Sequence, residues 1–206
     1  MSETEHIPFR EVPYLPQKLV VDRRADGTTL LSNGHPLKAH PPHMLWPLKR
    51  WAEEAPDRIW LAQHDPVAPT KPGWQMLTFA EAWARVQSIA QGFLNAGDPA
   101  PVMILSRNTI DHAVVMYGAM LAGCPVVPVT PAYALLSQDF ARLNYVDQLV
   151  EPSFIYVEDG SEYQRGLDGM SVGERTVLYS RNAPTGVNGV SLDAFAVSGG
   201  NSVVEA

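Results

Sequence analysis

Three histidines crowd one proline-rich stretch: His35, His40 and His43 stand beside Pro36, Pro41 and Pro42. Closely spaced histidines hold zinc when cysteine or carboxylate partners complete the set. None stands near in sequence, so the cluster reads as linker. His112 follows Asp111, a pairing suited to acid–base work. Its expected place in the exposed first turn of a helix argues instead for a solvated ring. Cys124, the sole cysteine, has no nearby histidine to generate a thiolate and reads as a small buried residue. Ser198-Gly199-Gly200-Asn201-Ser202 looks like a phosphate loop. It lacks the Lys and Ser/Thr such a loop needs and follows no convincing strand, so it reads as a flexible tail. Trp46, Trp51, Trp60, Trp74 and Trp83 sit at core spacing and read as packing, with Trp83 or Tyr133 placed to approach an aromatic substrate. No residue is assigned a catalytic, cofactor-binding or metal role.

The elements that would position such groups are clearer. Val102-Met103-Ile104-Leu105 has no polar alternation, which suits a central strand buried on both faces. Ser106 to Tyr133 continues it as polar turn, helix, Gly123 stop, second strand and Pro-rich exit, the repeating piece of a parallel sheet. Asn108 is the expected N-cap, with Asp111 in the first turn. Ile110, Val114, Tyr117, Met120 and Leu121 form the expected buried face, and Ala113, Gly118 and Ala119 let it approach the sheet. Pro128 marks the strand Pro125–Val129 as an edge or a distortion.

Upstream, Thr78-Phe79-Ala80-Glu81 is a capping box. It opens a helix with Phe79, Ala82, Trp83, Val86, Ile89, Ala90, Phe93 and Leu94 on one face and Gly97 at its end. Residues 1–18 read as an extended arm. Leu19–Arg24 and Thr28–Ser32 flank Ala25-Asp26-Gly27 as a hairpin that must pack on something. A helix over Leu45–Ala55, strands at Ile59–Ala62 and Trp74–Leu77, and a loop from Asp65 to Gly73 follow. Ser137 is expected to cap a helix from Asp139 to Val150, before a strand at Ser153–Val157. After Glu158 the texture loosens, with eight of the 15 glycines from Gly160 onward. Only Thr176–Tyr179 reads as a strand there, and Ser191–Phe195 as one helical turn. The expected division is residues 1–43 as arm and hairpin, 44–160 as α/β core, and 161–206 as a Gly-rich segment.

Composition narrows the classes. The 206 residues are 46% hydrophobic and 18% charged, as in an ordinary folded domain. With 22 acidic against 15 basic residues the net charge is −7, and no basic cluster offsets it. That argues against nucleic-acid and anionic-membrane partners. One cysteine fits a reducing compartment, and the acidic, proline-broken N-terminus does not resemble a signal peptide. The expectation is a cytoplasmic α/β protein, with homo-oligomerisation left open.

Residues 108–133 resemble the adenylate-forming acyl- and aryl-CoA synthetases. Asn108, Asp111, Val115, Met120-Leu121-Ala122-Gly123, Pro128 and Pro131-Ala132-Tyr133 match that family's "N…E…V…L-A…A-G-A…P-…P" pattern. Ala55-Pro56-Asp57-Arg58-Ile59-Trp60-Leu61-Ala62 is similar to its "PD-R-AL" opening. Leu77-Thr78-Phe79-Ala80-Glu81 is similar to its "LTY-EL" helix start, and Leu149 to Val157 to a later strand. Met103 to Leu143 further resembles the feruloyl-CoA synthetase branch. The likeness covers roughly residues 20–160.

What the resemblance implies is an incomplete N-terminal domain: a mixed, mostly parallel sheet flanked by helices, with an N-terminal β-hairpin. The family joins a carboxylic acid to ATP, releases pyrophosphate, and passes the acyl-adenylate to coenzyme A. ATP, Mg and coenzyme A are therefore implied for the full-length enzyme, with an aryl-propenoic acid as substrate. Its phosphate loop ending in P-K-G, its adenine motif, its metal-linked glutamate and its C-terminal lysine do not occur in this sequence. The chain alone is therefore expected to hold no cofactor and to be inactive. The alternative is a non-catalytic α/β interaction or assembly module whose open sheet edge pairs with another chain. A dinucleotide-binding oxidoreductase is disfavoured because no G-x-G-x-x-G follows a strand.

Overall fold

The computed structural model describes residues 14–65 and 73–197. Two compact units divide between Pro41 and Pro42. In the first, β1 (Leu19–Arg23) and β2 (Thr29–Asn33) pair antiparallel around a turn in which Gly27 takes φ +87°. The Asp26 carboxylate accepts from the Thr28 amide and tightens that turn. The hairpin matches the sequence reading, and all residues of both strands are exposed. The expected arm up to residue 13, the loop at 66–72 and the loop-like Ser198–Ser202 lie outside the described residues.

The second unit opens with α1 (Trp46–Glu54), whose Pro47 is tolerated in the first turn because its missing N–H would have had no partner there. Next, β3 (Ile59–Asp65) and β4 (Gly73–Thr78) pair as an antiparallel two-stranded sheet. Thr78 then caps α2 (Phe79–Ala96): its hydroxyl accepts from the Glu81 amide at 3.3 Å while the Glu81 carboxylate accepts from the Thr78 amide at 2.9 Å.

Five strands form the main sheet, in the order β6-β5-β7-β8-β9 with every pair parallel. They are β5 (Val102–Leu105), β6 (Val126–Val129), β7 (Phe154–Asp159), β8 (Thr176–Arg181) and β9 (Asn188–Ser191). All four side chains of β5 are fully buried, as the unbroken apolar run predicts. Pro128 lies on the edge strand β6, where no ladder donor is needed.

Alternation along the strands divides the core. Val102, Ile104, Tyr156 and Leu178 face one layer with α1, α2 and α3 (Ile110–Leu121). Met103, Leu105, Ile155 and Val177 face the other, with α4 (Pro131–Leu135), α5 (Ala141–Val150) and α6 (Gly160–Asp168). A short α7 (Leu192–Phe195), capped by Ser191, closes the first layer with Leu192.

Several expectations are corrected. Thr109, not Asn108, caps α3, because its hydroxyl accepts from the His112 amide at 3.1 Å. The buried stripe of α3 runs through Ile110, Val114, Val115, Gly118 and Ala119, while Tyr117, Met120 and Leu121 are half-buried. Gly118 meets α2 rather than the sheet: a Cβ there would lie 2.5 Å from the Ile89 side chain. The Pro-rich exit after β6 is the helix α4, since Pro131 presets the φ of a first helical turn. Ser137 accepts from the Phe140 amide just ahead of α5, which starts at Ala141 rather than Asp139. From Glu158 to residue 197 the chain forms further regular elements, where the sequence suggested a looser texture. Strand β7 runs on to Asp159, whose carboxylate caps α6 through the Ser161 and Glu162 amides at 3.0 and 3.1 Å.

Candidate functional site

Strands β5 and β7 are neighbours, yet the chain leaves their carboxyl ends toward opposite layers. After β5 it enters α3 and crosses to β6; after β7 it enters α6 and crosses to β8. Such a reversal opens a crevice at the ends of the two strands, the usual ligand position in parallel α/β sheets.

Arg107 spans this crevice. Its Nη1 donates to Glu158 Oε1 at 2.8 Å and to Glu162 Oε2 at 2.7 Å, and its backbone amide reaches Glu158 Oε1 at 3.2 Å. The Tyr163 hydroxyl donates to the same oxygen at 3.3 Å. With 5% of its side chain exposed, Glu158 has lost most of its water and depends on these donors. Hydrogen bonding to Arg107 holds the Glu162 carboxyl below the usual range, and burial raises the Tyr163 phenol.

His112 is half-buried, which corrects the exposed position expected for it. Its Nδ1 lies 2.8 Å from the Ser106 hydroxyl, which itself donates to the Arg107 carbonyl at 2.8 Å. With that proton committed, the imidazole donates to Ser106 from Nδ1 and cannot act as its base. Burial also holds the His112 pKa below its ordinary value, favouring the neutral ring. The pair secures the turn between β5 and α3 and is no nucleophile.

The start of α3 is likewise closed. Gln63 Oε1 accepts from the Ile110 amide at 2.8 Å, Thr109 accepts from His112, and Asp111 pairs with Arg85 of α2 at 2.6 Å. Beside it, the Tyr156 hydroxyl meets Ser180 at 2.8 Å, and burial drives the Tyr156 phenol above its usual pKa. Gln63, Gln75, Thr109, Tyr156, Glu158 and Ser180 border an open volume of about 220 Å³.

The residues singled out from sequence do not come together. His35 Nε2 contacts the Pro16 carbonyl at 2.6 Å, His40 Nδ1 contacts the Pro41 carbonyl at 3.0 Å, and His43 accepts from the Leu45 amide at 3.2 Å. Among the described residues, no group of three or more His, Cys, Asp or Glu is placed to hold a metal. Cys124 is buried, as expected. Trp60 and Trp83 pack against the core, but Trp46 and Trp74 are exposed, against the packing expected of them. Arg50 stacks over both Trp46 and Trp51. Arg142 covers the ring of Tyr133. The polar groups of the crevice were passed over in the sequence, although Arg107 and Glu158 both stand just past buried apolar strands.

A family model described as AMP-binding enzyme matches residues 48–190. The chain belongs to that family. No curated protein matches it. Among solved structures, a candidate long-chain-fatty-acid CoA ligase from Rhodopseudomonas palustris matches 75% of the chain at 19% identity, with TM-score 0.59. The luciferase-like enzyme from the nonluminescent mealworm Zophobas morio matches 75% at 18% identity and TM-score 0.57. A fatty acyl-adenylate ligase from L. pneumophila, in complex with acyl adenylate and pyrophosphate, matches 72% at 12% identity and TM-score 0.50. At these identities the likeness establishes the fold: the parallel sheet flanked by helices matches part of these chains. This chain spans 36%, 33% and 23% of their respective lengths. Among the described residues, no helix is long and apolar enough to cross a membrane.

Proposed function

We propose that this chain supplies the first parallel sheet of an ATP-dependent acid–CoA ligase, with an aryl-propenoic acid of the ferulate type as substrate. The family match over residues 48–190 carries this reading, and the feruloyl-like run from Met103 to Leu143 supports the substrate class. In such an enzyme ATP and Mg would activate the carboxylate as an acyl-adenylate, and coenzyme A thiol would displace AMP.

Around the crevice, most of the groups that could cradle a triphosphate are already committed to other partners. Such a cradle needs free backbone amides and an uncommitted cation. Here the opening amides of α3 are taken by Gln63 and Thr109, those of α6 by the Asp159 carboxylate, and Arg107 by Glu158 and Glu162. The proposed contribution of this chain is therefore a scaffold, with nucleotide, metal and thiol held elsewhere in a family-length enzyme. The division into residues 1–43, 44–160 and 161–206 suggested by sequence is part of the same proposal.

Pyrophosphate release with ATP, coenzyme A and ferulate tests the proposal. Turnover is expected from a family-length enzyme that contains this chain, and none from these 206 residues alone. Activity confined to unrelated fatty acids would remove the aryl-propenoic assignment. A family-length product inactive across several acids would remove the ligase reading, and turnover by the 206-residue chain would remove the scaffold role.

A further inference from the structure

The β1–β2 hairpin leaves a strand edge that its own sequence does not guard. The Gly34 amide donates to the Lys18 carbonyl at 2.6 Å, and the Arg24 amide donates to the Thr28 carbonyl at 2.9 Å. Antiparallel pairs alternate between hydrogen-bonded and non-bonded, so Leu19↔Asn33, Val21↔Leu31 and Arg23↔Thr29 are the non-bonded pairs of this ladder. The backbone N–H and C=O groups of Thr29, Leu31 and Asn33 therefore point away from β1, along the free edge of β2. Every residue of β2 is exposed, and none is charged or proline. Such residues are what ordinarily blunts an edge: Pro128 stands on β6, and β1 carries Asp22 and Arg23. A two-stranded ribbon by itself is marginal in water, whereas three or more strands with an apolar face are stable.

The pattern along β2 is self-complementary. Turned about a two-fold axis at Leu31, a second β2 runs antiparallel to the first, with Leu31 opposite Leu31 of the other copy and Thr29 opposite its Asn33. The three outward-facing residues then meet outward-facing residues, so each N–H finds a C=O and no charge faces a like charge. Directly paired residues also share a face of the sheet. Leu19, Val21 and Leu31 therefore line one face of the hairpin, with Leu19 64% and Leu31 65% exposed. Pairing through β2 joins two such faces, so that the row Val21–Leu31 of one copy continues into Leu31–Val21 of the other. The contact is isologous and closes at two copies, because the outer edges of the resulting sheet are the charged β1 strands.

We propose that β2 is a self-association edge, through which two copies of this chain pair as a four-stranded antiparallel sheet centred on Leu31. The inference rests on the hairpin alone, so its failure would leave the ligase reading untouched. Sedimentation of the 206-residue chain over a concentration series tests it, and a concentration-dependent dimer is expected. Leu31→Lys and Leu31→Glu each set like charges across the two-fold axis and are expected to weaken the dimer about tenfold or more. An equimolar mixture of the two variants is expected to recover association, because opposite charges then face each other at the axis. That recovery separates lost pairing from a lost hairpin. A chain that stays monomeric throughout the series, a dimer that either variant leaves at full strength, or a mixture that associates no better than its components would each overturn the proposal.

Discussion

The two helical layers on the main sheet bury comparable apolar groups by different means. The α2–α3 layer uses long helices whose apolar stripes repeat at helical spacing and meet through Ile89, Ala90 and Gly118. The α4–α6 layer uses shorter pieces held by close approaches. A Cβ on Gly160 would lie 2.2 Å from the Asn182 carbonyl, and one on Gly169 would strike the Phe140 ring at 2.3 Å. It also buries charge, since Asp147 of α5 pairs with Arg175 ahead of β8. One layer is specified by periodicity, the other by fit.

Truncation in each layer would break or sharpen this contrast. Phe93→Ala, which empties the stack against Phe154 and Phe195, is expected to cost about 3–5 kcal/mol in urea unfolding. Leu167→Ala in the opposite layer is expected to cost about 2–4 kcal/mol. A near-zero value there would mean that α6 is not part of the cooperative unit.

Glycine replacements come next in size. Gly160→Ala presses on backbone at Asn182 and Pro184 and is expected to lose about 2–3 kcal/mol, whereas Gly118→Ala presses mainly on the Ile89 side chain and should lose about 1–2 kcal/mol. Reversal of that order, measured by thermal and urea midpoints, would show that the α6 layer yields more readily than the α2–α3 contact.

The smallest effect is a pH dependence at the crevice beside both layers. Burial lowers the folded-state pKa of His112, so the unfolded chain binds the proton more readily. Stability from this group is full above the unfolded value of about 6.5 and declines as pH falls through it toward the folded pKa. Urea midpoints are expected to drop between about pH 8 and pH 5.5, and His112→Asn should flatten part of that drop. An unchanged slope in the variant would mean that His112 is solvated in the folded chain.

Much of the fold was legible before any coordinates. The Thr78–Glu81 capping box, the β5 run, the Gly123 stop and the Pro128 edge each rest on interactions between residues close in sequence, so local chemistry suffices to place them. Helix α6 was missed because Gly160 and Gly166 weaken its propensity. Those glycines are there for close approach to Pro184 and Ala134, which only the folded chain reveals. Helix α4 was missed because five residues are too few to show a period.

The crevice was less legible still. The sequence alone could place Arg107 and Glu158 just past two buried strands, and it carried the family pattern through Asn108, Asp111 and Gly123. It could not say that these strands are neighbours, because β6 lies between them in the chain and on the far side of β5 in the sheet. The sequence thus determined most of the strands, the long helices and what family they resemble. Tertiary structure decided the strand order, and with it the meeting of Arg107, Glu158 and His112. The physical reason is range: capping and periodicity act within a few residues, whereas the Arg107–Glu158 pair is fifty-one residues apart and forms only when the parallel sheet closes.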